Sequence, residues 1–186
     1  IGTRTTESQT HREMASGLSM PIGFKNGTDG SFTTAINAMH SASKSHHFLG
    51  VNNNGMASIV NTTGNPDGHI VLRGGSKGPN FESHYVQKIS AQLKECNLPH
   101  KVMIDCSHGN SNKDYRKQSD VLKNIAIQIS NGEKNILGVM LESHLKEGNQ
   151  KLLKKEDLEF GKSITDACID IETTQKLLAI LYSSVS

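Results

Sequence analysis

Cysteine is scarce and badly placed for cross-linking: Cys96, Cys106 and Cys168 are an odd set with no CxxC spacing, which argues against a disulfide framework and a zinc ribbon. Long apolar runs are missing as well. None approaches the ~20 residues that span a bilayer, and the start, IGTRTTESQ, has neither the charged nor the apolar region of a secretory leader. The expectation is a cytoplasmic protein without membrane contact. A dominant charge is also lacking, since 20 Lys and Arg oppose 18 Asp and Glu and leave a net +2. The basic residues are scattered, which argues against nucleic acid and leaves room for small anionic ligands. The glycine stretches match neither a Walker loop nor a dinucleotide fingerprint, and Ser107 has no GxSxG context. With no internal repeat, low-complexity tract or linker, the 186 residues are expected to form one domain.

What is present is an alternation of short apolar runs with helical periodicity. Strands are expected over 21–25, 47–51, 102–106 and 136–141, with helices over 7–18, 31–43, 82–96, 114–130 and 173–185. Residues 56–60 and 69–72 flank TGNPDG, a turn signal, so these two segments are expected to pair as an inserted β-hairpin. Such alternation implies α/β architecture with a parallel sheet, doubly wound or barrel. A closed eight-stranded barrel typically takes ~250 residues, so a barrel reading makes this chain the C-terminal half of a (β/α)8 TIM barrel. Ile1 rather than Met opens the chain, in keeping with the middle of a longer polypeptide.

Polar residues collect where the apolar runs stop. Arg4, Lys25, Arg73, His108, Glu142 and Asp166 each lie at or just past such a run, and in a parallel sheet those positions share one face. VMIDCSHGNSN, residues 102–112, is the plainest case, a buried strand that releases His108 into small polar residues. Arg4, Lys25 and Arg73 are either solvated surface charges or the cations of a phosphate or carboxylate site. Lys25 opens NGTDG and Arg73 opens GGSKG, where glycines let backbone N–H groups approach an anion. His108, Glu142 and Asp166 form a mixed N/O set suited to a divalent transition metal. Each also has a plain alternative: His108 as a helix-capping loop residue, Glu142 paired with His144 or a lysine, Asp166 capping a turn. Cys106, inside an apolar run, reads as a small core residue.

Six blocks, GTRTTESQTHRE, GFKNGTDG, VLRGG, IDCSHGNSNKD, GVMLESHLKEGNQ and SITDAC, occur in an order and spacing that resembles the type I 3-deoxy-D-arabino-heptulosonate 7-phosphate (DAHP) synthases, from Gly2 to about Thr174. The resemblance implies a (β/α)8 barrel that joins phosphoenolpyruvate to erythrose 4-phosphate with a bound divalent metal, Mn, Fe, Co or Zn, at the entry to the shikimate pathway. It implies that Arg4, Arg73 and the Thr3 backbone hold the phosphate of phosphoenolpyruvate, that Lys25 takes its carboxylate, and that His108, Glu142 and Asp166 are metal ligands. His108, Asp166 and Lys25 are thereby the expected catalytic set.

The same resemblance implies feedback inhibition by an aromatic amino acid, with Leu18, Ser19, Phe48, Gly50 and Val60 matching the effector pocket, and a homodimeric or homotetrameric assembly. The family's cysteine ligand and its Lys-Pro-Arg-Thr loop have no match here. Residues 1–186 alone are therefore expected neither to close the barrel nor to catalyse. Asn52-Asn53 stands where the family usually has Thr-Lys, and Asp170-Ile171 where it has Gly-Trp. Two other readings remain at this stage: a Schiff-base aldolase using Lys25, and a non-catalytic regulatory or assembly subunit.

Overall fold

Strand β4 (Gly68–Leu72, GHIVL) is almost wholly buried, with only His69 half-buried, the pattern of a central strand covered on both faces. In the computed structural model, which describes residues 1–185, β4 lies between β1 (Ile22–Lys25) and β5 (Val102–Asp105), and β6 (Ile136–Met140) adds beyond β5. All three pairings are parallel, with Lys25 opposite Val71, Leu72 opposite Ile104 and Asp105 opposite Met140. The sheet is open among the described residues, with β1 and β6 as its edges.

Parallel neighbours require crossovers, and helices supply them. Helix α1 (Gln9–Ser16) precedes β1, α2 (Thr33–Ala42) lies between β1 and β4, α3 (Ser83–Glu95) between β4 and β5, α4 (Gln118–Ser130) between β5 and β6, and α5 (Ile171–Val185) follows. In α3 the expected face is buried, Val86, Ile89 and Leu93 all being inaccessible. Helix α4 buries Val121, Leu122 and Ile125, packs on α5, and ends at Asn131 with Gly132 in the left-handed region (φ 94°). These faces join Phe24, Ile70, Leu72 and Ile104 of the sheet in one core. No helix is long and apolar enough to cross a membrane among the described residues.

The hairpin expected across TGNPDG is corrected. A hairpin exists, but β3 (Ala57–Asn61) pairs backwards onto β2 (His47–Val51), while residues 68–72 belong to the parallel sheet. Asn52 makes that turn, its Oδ1 accepting from the N–H groups of Asn54 (2.9 Å) and Met56 (3.1 Å), with Gly55 at φ 77°. Strands β2 and β3 alternate half-buried and exposed residues, as a hairpin with one covered face does, whereas β4 has no polar face to give to solvent. The helix expected over 114–130 opens as a 3-10 turn, Tyr115–Lys117, because Asp114 accepts from the Arg116 N–H. Around Ser163–Ile169 only isolated bridges form, to Ser143, Gly148 and Asn149.

Candidate metal and anion site

The carboxyl ends of β1, β4, β5 and β6 deliver Lys25, Arg73, Asp105 and, two residues beyond Met140, Glu142. His108 follows β5 in a tight loop and itself adopts φ 53°, a left-handed conformation that a non-glycine residue holds at a cost of ~1 kcal/mol or more. The loop keeps it there: the Lys113 N–H donates to His108 O (2.8 Å), and Gly109 N–H donates to Arg73 O (3.0 Å). Thr3 and Arg4 reach the same rim because the N-terminal segment runs beside β1, with Lys25 N–H donating to Ile1 O (3.2 Å) and the Thr6 hydroxyl to Lys25 O (3.1 Å).

His108, Glu142 and Asp166 converge, with one ligand atom from each lying within 4.8 Å of the others. His108 Nε2 is 3.9 Å from Glu142 Oε1 and 3.9 Å from Asp166 Oδ2. Beside them Thr3, Arg4, Lys25, Arg73, His108 and Asp166 line one cavity of about 760 Å³. Neither arginine has a carboxylate within 4.0 Å among the described residues, and the Thr3 hydroxyl is buried without a hydrogen-bond partner. Unpaired forked cations beside an orphaned hydroxyl suit a phosphate. The nitrogen and carboxylate donors at Nε2, Oε1 and Oδ2 suit a divalent transition metal, and three protein donors leave positions for further ligands.

Three kinds of residue in this site escaped the sequence reading. Asp105 ends β5 with its side chain 1% exposed, its Oδ2 lying 2.7 Å from Lys25 Nζ and 2.9 Å from His108 Nδ1. Burial alone would raise its carboxyl; the close His108 imidazole and the Lys25 hydrogen bond outweigh that and hold it below the usual carboxylate range. Gln118, fully buried at the start of α4, grips the backbone of Glu142, accepting its N–H (2.8 Å) and donating to its carbonyl (3.1 Å). Asn26, Asn80 and Asn110 tie the loops bearing Lys25, Arg73 and His108 together. Asn26 Oδ1 accepts from Arg73 N–H (2.8 Å), Asn80 Oδ1 from Gly74 N–H (2.7 Å), and Asn110 Oδ1 from Asn80 N–H (2.8 Å).

Cys106 is a core residue, and burial, helped by the Asp105 charge, pushes its thiol far above the usual range. Cys168 is buried nearby, its thiol also raised by burial and by Glu142, and it stays outside the converging ligand set. Phe48, Gly50 and Val60 share the half-buried face of the β2–β3 hairpin, with Phe48 directly opposite Val60. Leu18 and Ser19 follow α1, whose end is tied to the root of that hairpin by the Ser16 and Thr62 hydroxyls (2.7 Å).

Comparison with known proteins gives the family of the chain. The DAHP synthetase I family matches residues 1–179. The Tyr-sensitive and Phe-sensitive phospho-2-dehydro-3-deoxyheptonate aldolases of Escherichia coli (strain K12) are 51% and 55% identical to it over the whole chain, which covers 52% and 53% of their lengths. A solved phospho-2-dehydro-3-deoxyheptonate aldolase from Francisella tularensis SCHU S4 superposes with a TM-score of 0.95 at 51% identity, covering all of this chain and 54% of that one. The chain thus spans about half the length of these relatives, and it belongs to the DAHP synthetase I family.

Proposed function

We propose that these residues supply the metal and phosphoenolpyruvate sites of a DAHP synthase, in the C-terminal half of a (β/α)8 barrel that condenses phosphoenolpyruvate with erythrose 4-phosphate and water to give DAHP and phosphate. The observation that carries this is the convergence of His108, Glu142 and Asp166 at the rim of a cavity that also holds Arg4, Lys25 and Arg73. The names of the relatives support the product, and "Tyr-sensitive" and "Phe-sensitive" support an aromatic amino acid as effector.

Arg4, Arg73 and Thr3 hold the phosphate of phosphoenolpyruvate, and Lys25 orients its carboxylate with the ammonium protons not given to Asp105. His108, Glu142 and Asp166 would hold a divalent cation, which would supply Lewis acidity toward the aldehyde of erythrose 4-phosphate. C3 of the enol attacks the aldehyde carbon and forms the new C–C bond. Positive character then develops at C2, where water adds. Cleavage of the C2–O bond releases phosphate, whose charge the two arginines offset, and leaves the keto product. Asp166 is the most exposed of the three ligand candidates at 73%, which leaves it open to a second substrate.

The imine alternative is disfavoured by the same geometry, since the 2.7 Å ion pair with Asp105 uses Lys25 as an ammonium donor, whereas an imine requires a free amine. Phe48, Gly50 and Val60, with Leu18 and Ser19 near the hairpin root, are proposed as the effector pocket of a homodimeric or homotetrameric enzyme. The test is phosphate release from phosphoenolpyruvate plus erythrose 4-phosphate by the native protein, with Mn²⁺ and with EDTA, for wild type and His108→Ala. EDTA and the substitution are each expected to reduce turnover by about a hundredfold or more. Full activity of His108→Ala would remove His108 from the metal site.

A further inference from the structure

The Asp105 side chain touches both halves of the site, Lys25 and His108. Its Oδ2 serves two donors at once, Lys25 Nζ at 2.7 Å and His108 Nδ1 at 2.9 Å. The carboxylate cannot turn away to favour one of them. Its Oδ1 accepts from Ser107 N–H (2.9 Å), its own carbonyl is held by Asn110 Nδ2 (2.8 Å), and the side chain is 1% exposed. The two contacts differ in quality. Lys25 makes a well-formed hydrogen bond, whereas His108 Nδ1 is buried and, despite its proximity, lacks the alignment of one. The imidazole therefore has a shared acceptor within reach and an unsatisfied buried nitrogen.

We infer that Asp105 is a positioning residue that couples the cation cluster to Lys25, so that occupancy of the metal site strengthens binding of a carboxylate at the lysine. When His108 Nε2 is engaged by a cation, its Nδ1–H becomes a stronger donor, and the ring gains by aligning on Asp105 Oδ2. That draws the acceptor's electron density away from Lys25, whose ammonium then has more to give to a carboxylate entering the cavity. The coupling is a property of binding and is reciprocal: carboxylate occupancy at Lys25 strengthens cation binding by the same factor. The inference rests on the functional reading above, but it concerns a residue that reading does not use.

The experiment is calorimetric titration of phosphoenolpyruvate into the native full-length protein, stripped of metal and then loaded with Mn²⁺, for wild type and Asp105→Asn. Wild type is expected to bind phosphoenolpyruvate about tenfold more tightly when loaded, within the usual range for coupled sites. In Asp105→Asn that ratio should fall to about one, and Mn²⁺ affinity should drop about 10–100-fold. A merely structural role would lower stability without changing the ratio. An unchanged ratio in a folded Asp105→Asn protein overturns the inference and leaves the functional reading intact, whereas wild-type protein that binds neither Mn²⁺ nor phosphoenolpyruvate overturns both. Should Asp105→Asn fail to fold, ¹⁵N NMR of wild type loaded with Zn²⁺ decides: a proton on His108 Nδ1 supports the inference, and metal on Nδ1 in place of Nε2 overturns it.

Discussion

Replacing Gly74 by alanine tests whether the Arg73 loop and the His108 loop are one rigid unit. Gly74 follows Arg73 at φ 70°, and a Cβ there would stand 2.5 Å from Gly109 C and 2.6 Å from Asn110 N. Both obstacles are backbone, in the loop that carries His108, so no side chain can swing aside. The left-handed conformation alone costs alanine about 1 kcal/mol, and the overlap adds about 2 kcal/mol, as overpacking in a closed site does. Gly132→Ala isolates the first contribution, since Gly132 has φ 94° with nothing within 4 Å of its would-be Cβ. At ~2–4 °C per kcal/mol for a domain of this size, Gly74→Ala should melt roughly 10 °C below wild type and Gly132→Ala roughly 3 °C below. Relief of the overlap must push Arg73 away from His108, lengthening the Gly109 N–H to Arg73 O bond of 3.0 Å. Phosphoenolpyruvate affinity should therefore fall in Gly74→Ala and not in Gly132→Ala. The measurements are thermal melts and phosphoenolpyruvate titrations of both variants in the native protein. Equal melting temperatures, or wild-type phosphoenolpyruvate affinity in Gly74→Ala, would refute the reasoning.

Two further outcomes follow from single contacts. Gln118→Ala orphans the Glu142 N–H and carbonyl beside a cavity in a fully buried position; about 2–4 kcal/mol of stability should be lost, with weaker Mn²⁺ binding because Glu142 loses its anchor, and unchanged values for both would show that the clamp is idle. Asp170→Ala removes the cap of α5, where Asp170 Oδ1 accepts from Thr173 N–H at 2.7 Å and its carboxyl is held below the usual value by that residue's hydrogen bonds. A depressed carboxyl contributes stability above its unfolded pKa of 3.8 and loses it as pH falls through the lower folded value, so wild type should melt above the variant at pH 7 and converge with it in strong acid. A difference independent of pH would show that the charge plays no part.

The rim of the site was legible because each of its residues sits at a one-dimensional boundary. Lys25, Arg73, His108 and Glu142 each follow an apolar run, and parallel strands convert those boundaries into one face. What stayed hidden depends on partners remote in sequence. Asp105 meets Lys25 across 80 residues, and Asn80 meets Asn26 across 54. In one dimension, Asn26, Asn80 and Asn110 look like ordinary turn residues beside glycines. The signal that could have exposed Asp105 is its place: an acid at the end of an otherwise apolar strand, three residues before a candidate ligand. The hairpin was misread because TGNPDG is a real turn signal at the wrong level. It separates the hairpin from β4 instead of folding one onto the other, and GHIVL, buried as a central strand, outweighs it. The departures Asn52 and Asp170 also acquire local reasons, as the hairpin's Asx turn and the cap of α5.

The choice of amides for the brace has an electrostatic logic. The loops bearing Lys25, Arg73 and His108 need buried acceptors for the N–H groups of Arg73, Gly74 and Asn80, and a carboxylate could serve each of them. A carboxylate so close would also neutralise the cations that the proposed phosphate site requires, and it would face a second acceptor wherever two of these side chains meet. An amide supplies the same acceptor without net charge and adds a donor. Asn80 uses that donor on Asn26 Oδ1 (3.2 Å), and Asn110 uses its own on the carbonyls of Leu72 (3.0 Å) and Asp105 (2.8 Å). The loops are thus locked by a neutral, mutually satisfied network. Among the described residues, formal negative charge in contact with Lys25, Arg4 and Arg73 is confined to Asp105, which lies between the lysine and the histidine.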